Sequence, residues 1–267
     1  IPTTAATADV IITGQAISNY FGNILAVGDF NADGRTDLAV GAYGYSTNTG
    51  RIYIFYSQNG QVNTNFSIAG EGASLDEFGN AVVTGDFNAD GRTDLAVGAW
   101  RYNASDTGRV YIFYGDGQLP TVASSADVTI GSGGGTSDYF GRSLAAGDFD
   151  ADGDTDLAVG ADGYSTNTGR VYIFYNDGSY PGNATTADVT ITGQAASNYF
   201  GYAITTGDFN FDGKVDLAVG AYAVAAGKAY VFYNDGSIPT TAATADVIIT
   251  DDYFLGYGYF GTSLRSE

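Results

Sequence analysis

Apolar and polar positions fall into short, regularly spaced runs along the chain. In the stretch from 142 to 193 they form four strand-like segments: "RSLAAGDF" (142–149), "TDLAVGA" (155–161), "GRVYIFY" (169–175) and "ADVTITG" (187–193). The third and fourth alternate and are rich in Val, Ile, Tyr and Thr, as half-buried strands are. The second carries Leu-Ala-Val without alternation and reads as a strand buried on both faces. An Asp-rich loop, "YSTNTG", "NDGSYPGN" and a Gly/Ser segment separate them, all with turn chemistry. No segment shows a helical period.

The same order recurs. "GDFNADGRTDLAVGA" at Gly28 returns unchanged at Gly85, and appears as "GDFDADGDTDLAVGA" at Gly147 and "GDFNFDGKVDLAVGA" at Gly207. Phe-Gly precedes each copy, at Phe21, Phe78, Phe140 and Phe200, and a fifth pair stands at Phe260; the offsets are 57, 62, 60 and 60 residues. Four strands in each such period predict an all-β protein, a β-propeller of four-stranded antiparallel blades. The blades are expected at about 15–70, 71–131, 132–193 and 194–250, with 1–14 and 251–267 as closing or partial-blade segments. Residues 1–13 recur unchanged at 238–250. One surplus outer strand points to a piece of a longer array, to strand exchange, or to two chains forming one ring.

Phe-Gly, the Asp-rich loop, "DLAVGA" and "GRVYIFY" resemble, in that order, the FG-GAP repeat, the propeller repeat of integrin α-subunits. The resemblance covers nearly the whole chain as four full repeats plus a partial fifth. The proline of the "GAP" element is replaced by Tyr43, Trp100, Asp162 and Tyr222.

Within the first repeat, Asp29, Asn31, Asp33 and Asp37 occupy positions 1, 3, 5 and 9 of a loop with Gly34 at position 6. Alternating oxygen-bearing residues on a tight turn suit a hard cation, and Ca²⁺ takes six to eight such ligands. The carbonyl of Arg35 at position 7 is a further candidate. The other loops are Asp86, Asn88, Asp90, Arg92 and Asp94; Asp148, Asp150, Asp152, Asp154 and Asp156; and Asp208, Asn210, Asp212, Lys214 and Asp216. About four Ca²⁺, one per full blade, are expected. An EF-hand would place a bidentate Glu at position 12, where Val40, Val97, Val159 and Val219 stand instead. The position-9 carboxylate takes its part, as in the cation-binding hairpins of integrin-like propellers.

A formal charge of −20 disfavours nucleic acid and anionic membrane surfaces as partners. Cys, His and Met are absent, which removes disulfides, thiolate sites and histidine chemistry. No apolar run is long enough to insert in a membrane. The resemblance implies partner contacts on the face opposite the acidic loops. There the loops are aromatic: Tyr43, Tyr45, Trp100, Arg101, Tyr102, Tyr164 and Tyr222 are the candidate contacts for a protein or glycan. The carboxylates repeat with the blade, and no unsymmetrical acid–base pair emerges. The chain therefore reads as a non-catalytic, extracellular adhesion module. A self-assembling propeller and the propeller of a polysaccharide lyase or hydrolase are the alternatives.

Overall fold

In the computed structural model, residues 10–58, 61–71, 75–222, 227–250 and 261–264 are described. The expected closing segments 1–14 and 251–267 therefore lie mostly outside the described residues. The chain forms four sheets of four strands each, every one an antiparallel meander. The first holds β1 (Leu25–Gly28), β2 (Asp37–Gly41), β3 (Arg51–Gln58) and β4 (Gln61–Ala69). The second holds β5 (Ala81–Gly85), β6 (Asp94–Ala99), β7 (Arg109–Phe113) and β8 (Val128–Gly131). The third holds β9 (Leu144–Gly147), β10 (Asp156–Ala161), β11 (Arg170–Phe174) and β12 (Val189–Thr192). The fourth holds β13 (Phe200–Gly207), β14 (Asp216–Ala221), β15 (Lys228–Phe232) and β16 (Val247–Thr250). The first strands touch in series, β1 to β5 to β9 to β13, so the sheets stand side by side as propeller blades.

The non-alternating "DLAVGA" runs are the strands buried on both faces. All six residues of β6, β10 and β14 are buried. The core lies in the seams between blades. Phe78, Phe140 and Phe200 of the Phe-Gly pairs are fully buried and meet Tyr111, Tyr172 and Tyr230 edge-on at 5.4–5.5 Å. The glycine of "DLAVGA" sets how closely blades approach. A Cβ on Gly98 would lie 2.0 Å from the Gly141 carbonyl oxygen of the next blade. A Cβ on Gly220 would lie the same 2.0 Å from the Gly261 carbonyl oxygen, so Gly261 approaches the fourth blade as Gly141 approaches the second.

Two "YSTN" segments, Tyr45–Asn48 and Tyr164–Asn167, make single helical turns where only loops are expected. Ser46, Thr47 and Asn48 all have positive φ, as do Ser165, Thr166 and Asn167. Three consecutive left-handed residues form a compact reversal that no amphipathic pattern announces. It carries the chain from the second to the third strand, at the blade end opposite the acidic loops.

Candidate functional site

Each acidic loop joins the first two strands of a blade and is wired in the same way. In the first, the two carboxylate oxygens of Asp29 accept the N–H groups of Asp33 (3.0 Å) and Gly34 (2.7 Å). Asn31 Oδ1 accepts Asp33 N–H at 3.1 Å, and Asp33 Oδ1 accepts Arg35 N–H at 3.0 Å. The second loop repeats these bonds through Asp86, Asn88, Asp90 and Arg92. The third does so through Asp148, Asp150, Asp152 and Asp154, and the fourth through Asp208, Asn210, Asp212 and Lys214. The lattice winds the chain so that alternate side-chain oxygens gather on one side of the turn.

The position-9 aspartates do more than the spacing announces. Asp37, Asp94, Asp156 and Asp216 are buried. One oxygen of each accepts a backbone N–H from inside its loop: Phe30, Phe87, Phe149 or Phe209. The other accepts the N–H of Ser57 within β3, or of Gly115, Asn176 or Asn234 just past the third strand of the other blades. Each carboxylate thus ties its loop to the neighbouring hairpin. Burial pushes the Asp94 and Asp156 carboxyls up to about 6, against the pull of their backbone hydrogen bonds and helped by the other loop aspartates.

In the third loop, oxygens of Asp148, Asp150 and Asp156 lie within 4.8 Å of one another. A second group at that spacing joins Asp150 and Asp152 to Asp177, from the turn between β11 and β12. Asp177 escapes a reading of loop spacing because it lies some 20 residues on, in a stretch that reads as turn chemistry. Its signal is the recurrence of Asp-Gly at Asp116, Asp177 and Asp235. The donor set is oxygen only and anionic, and carboxylate oxygens that already accept an N–H retain lone pairs. It fits a hard divalent cation better than any soft or redox metal.

At the other end of the strands, every candidate contact residue is half-buried and already engaged. Tyr43 stacks on Tyr20 at 4.7 Å, and Tyr222 on Tyr199 at 4.8 Å. Tyr45, Tyr102 and Tyr164 lie under the guanidinium groups of Arg51, Arg109 and Arg170 at 3.7–3.9 Å. Trp100 donates its Nε1–H to Glu77 at 2.9 Å, and Arg101 pairs with Glu77 and Asp106. Sequence reasoning missed Arg142, which sits over both the Trp100 ring (4.1 Å) and the Tyr202 ring (4.6 Å). Beside it is Asp162, 2% exposed, with Oδ1 lacking a hydrogen-bond partner. Burial raises its carboxyl to about 6 despite the nearby arginine. Repeat symmetry is broken here: Arg142 occupies a position that is asparagine or tyrosine in the other blades, and Asp162 one that is aromatic.

Comparison with known proteins matches residues 21–55, 78–113, 140–174 and 200–232 to the FG-GAP repeat. The chain is 35% identical over 200 residues to a Bos taurus phosphatidylinositol-glycan-specific phospholipase D, covering 66% of this chain and 23% of the relative. It is 38% identical over 166 residues to integrin alpha-IIb of Mus musculus, covering 57% of this chain and 16% of the integrin. The chain therefore spans about a quarter or less of these relatives. Among solved structures, a rhamnogalacturonan lyase of Bacillus licheniformis matches with TM-score 0.42 and 11% identity over 88% of this chain and 53% of that one. The phospholipase relatives correct one expectation. The reading of the chain as no enzyme does not stand, because proteins that share its repeats at this identity include enzymes. Among the described residues no helix is long and apolar enough to cross a membrane.

Proposed function

The chain belongs to the FG-GAP repeat family, and from that premise we propose that it is a calcium-stabilised recognition module. In this reading one Ca²⁺ binds in each of the four acidic loops, and the opposite, aromatic face takes a protein or glycan ligand outside the cell. The observation that carries the reading is the fourfold lattice: the same backbone bonds gather the same oxygen positions in every blade. Carboxylates held this close repel one another, and a divalent cation removes that cost. Binding to the folded state alone then stabilises it by mass action. An extracellular setting supplies calcium at the level modest sites need. The test is a calcium titration of chelator-stripped protein, following heat uptake and melting temperature together. About four sites and a rising melting temperature are expected; a melting temperature indifferent to both calcium and chelator overturns the reading.

The relation to phospholipase D favours a second reading, in which the propeller is the ligand-holding part of a larger enzyme. Assaying turnover of glycosylphosphatidylinositol and of acidic polysaccharides separates the two. Products favour the enzyme reading, and saturable binding without products favours recognition alone.

A further inference from the structure

The three seams between blades are built alike except at one point. Strand register fixes the equivalence: Arg51 pairs with Ala69, Arg109 with Gly131 and Arg170 with Thr192. Two residues beyond each of these partners stand Glu71, Gly133 and Gln194. In the first seam Glu71 Oε1 accepts hydrogen bonds from Arg109 Nη1 (2.8 Å) and from the hydroxyl of Tyr111 (2.9 Å). In the third, Gln194 Oε1 accepts from Lys228 Nζ (3.3 Å) and from the hydroxyl of Tyr230 (3.1 Å). These two seams thus bring a cation and a tyrosine hydroxyl from one blade onto a single oxygen from the blade before.

The middle seam has the donors without the acceptor. Arg170 and Tyr172 occupy the places of Arg109 and Tyr111, but Gly133 has no side chain to offer, and at φ +84° its Cβ direction runs to Thr185 Cγ2 (2.5 Å). Among the described residues no side-chain acceptor bonds the Tyr172 hydroxyl, and the ion pairs of the chain do not include Arg170. Arg170 is steadied instead by Nε–H donated to Thr192 Oγ1 at 3.1 Å and by the ring of Tyr164 at 3.7 Å. Beside these donors is a cavity of about 910 Å³, lined by Arg170, Tyr172, Asp138, Tyr164 and the hydroxyls of Ser137 and Thr190. That is the size of small-molecule pockets. Asp138 is buried against the cavity, and its equivalent in the first seam is Asp76, two residues before Phe78 as Asp138 is before Phe140. Since Asp76 coexists with Glu71 around Arg109, a second carboxylate beside Asp138 has a precedent within the same molecule.

We propose that the seam between the second and third blades is a binding pocket for a small hydroxylated carboxylate, a sugar acid in size. Its carboxylate takes the place that the Glu71 and Gln194 oxygens hold in the other seams. Arg170 and Tyr172 bind the charge, and the serine and threonine lining meets the ligand hydroxyls. Gly133 and Gly135 leave their part of the wall without side chains. The inference stands apart from the acidic loops, which lie at the other end of the strands, and from the Trp100–Arg142 cluster.

Sodium glucuronate is the probe, titrated calorimetrically into the whole chain with calcium held constant. Saturable binding is expected, with glucose, similar in size but uncharged, failing to compete. Tyr172→Phe removes only a hydroxyl and keeps the ring against Phe140; it is expected to weaken binding about tenfold or more. Glu71→Ala supplies an independent arm. It empties the equivalent acceptor place in the first seam, and sodium acetate, the lost group as a free molecule, is expected to restore part of its lowered melting temperature. No saturable binding of glucuronate, equal competition by glucose, or unchanged affinity in Tyr172→Phe overturns the proposal. None of these outcomes bears on the calcium titration.

Discussion

Asp94 accepts the backbone N–H of Phe87 at 2.7 Å, closing the second acidic loop from inside, while its other oxygen takes the N–H of Gly115 at 2.7 Å. The same carboxylate that loop spacing marks as a cation ligand is therefore a structural tie in its own right. Asp94→Ala leaves two buried donors unsatisfied and is expected to cost about 2–4 kcal/mol. That loss should appear in urea denaturation even with chelator present. Asp90→Asn, exposed and bonded only within its own loop, should leave chelated stability nearly unchanged and abolish the calcium response of that loop. If both variants lose stability only when calcium is present, the tie is unimportant.

The third loop should hold calcium most tightly. It alone has a carboxylate at position 3, Asp150, and oxygens of Asp148, Asp150 and Asp156 already converge there. Asp177 adds a further acidic group from the neighbouring turn, grouped with Asp150 and Asp152. Asp150→Asn makes the loop resemble the other three and should merge its affinity with theirs. Asp177→Asn should weaken the same site and leave the rest alone. Isothermal titration of the two variants beside the parent checks both; unchanged high-affinity binding in Asp150→Asn counts against the assignment.

Trp100 is the single tryptophan of the chain and lies 4.1 Å beneath the Arg142 guanidinium. Its emission therefore reports the centre of the aromatic face. Arg142→Met should shift and brighten or dim that emission without unfolding the protein. Trp100→Ala should cost about 2 kcal/mol by removing the stacked arginine, the Tyr139 contact and the bond to Glu77. Emission identical in Arg142→Met and the parent would place the arginine elsewhere.

Much of this arrangement was legible in the sequence, and the reason is repetition. Identical strings at Gly28 and Gly85 impose identical local structure, so strand order, buried second strands and the lattice of the acidic loops follow from one copy read four times. What escaped depends on contacts across space. The reach of Asp94 to Gly115 spans 21 residues, and that of Asp156 to Asn176 spans 20. The aromatic residues at 43, 100 and 222 read as exposed contacts, yet each finds a ring from the Phe-Gly segments: Tyr20, Tyr139 or Tyr199. The place of Gly133 in its seam shows only through strand register, which makes it the counterpart of Glu71 and Gln194.

Asp162 and Asp76 give the chain a pH dependence separate from the acidic loops. Both are buried, and burial raises each carboxyl from 3.8 to about 6. A carboxyl whose folded value lies above its unfolded value binds its proton more tightly in the folded state. The stability it contributes is complete below about pH 4 and is lost as pH rises through about 6. Chelated protein should thus become easier to unfold between those limits. Asp162→Asn removes one of the two groups without changing its size. It should match the parent near pH 4, exceed it by about 1–3 kcal/mol near pH 7, and show a flatter slope between. Urea midpoints measured across that range decide the matter. Parallel curves for parent and variant would mean that Asp162 ionises without cost, and that its unpartnered oxygen is stabilised by a group other than Arg142.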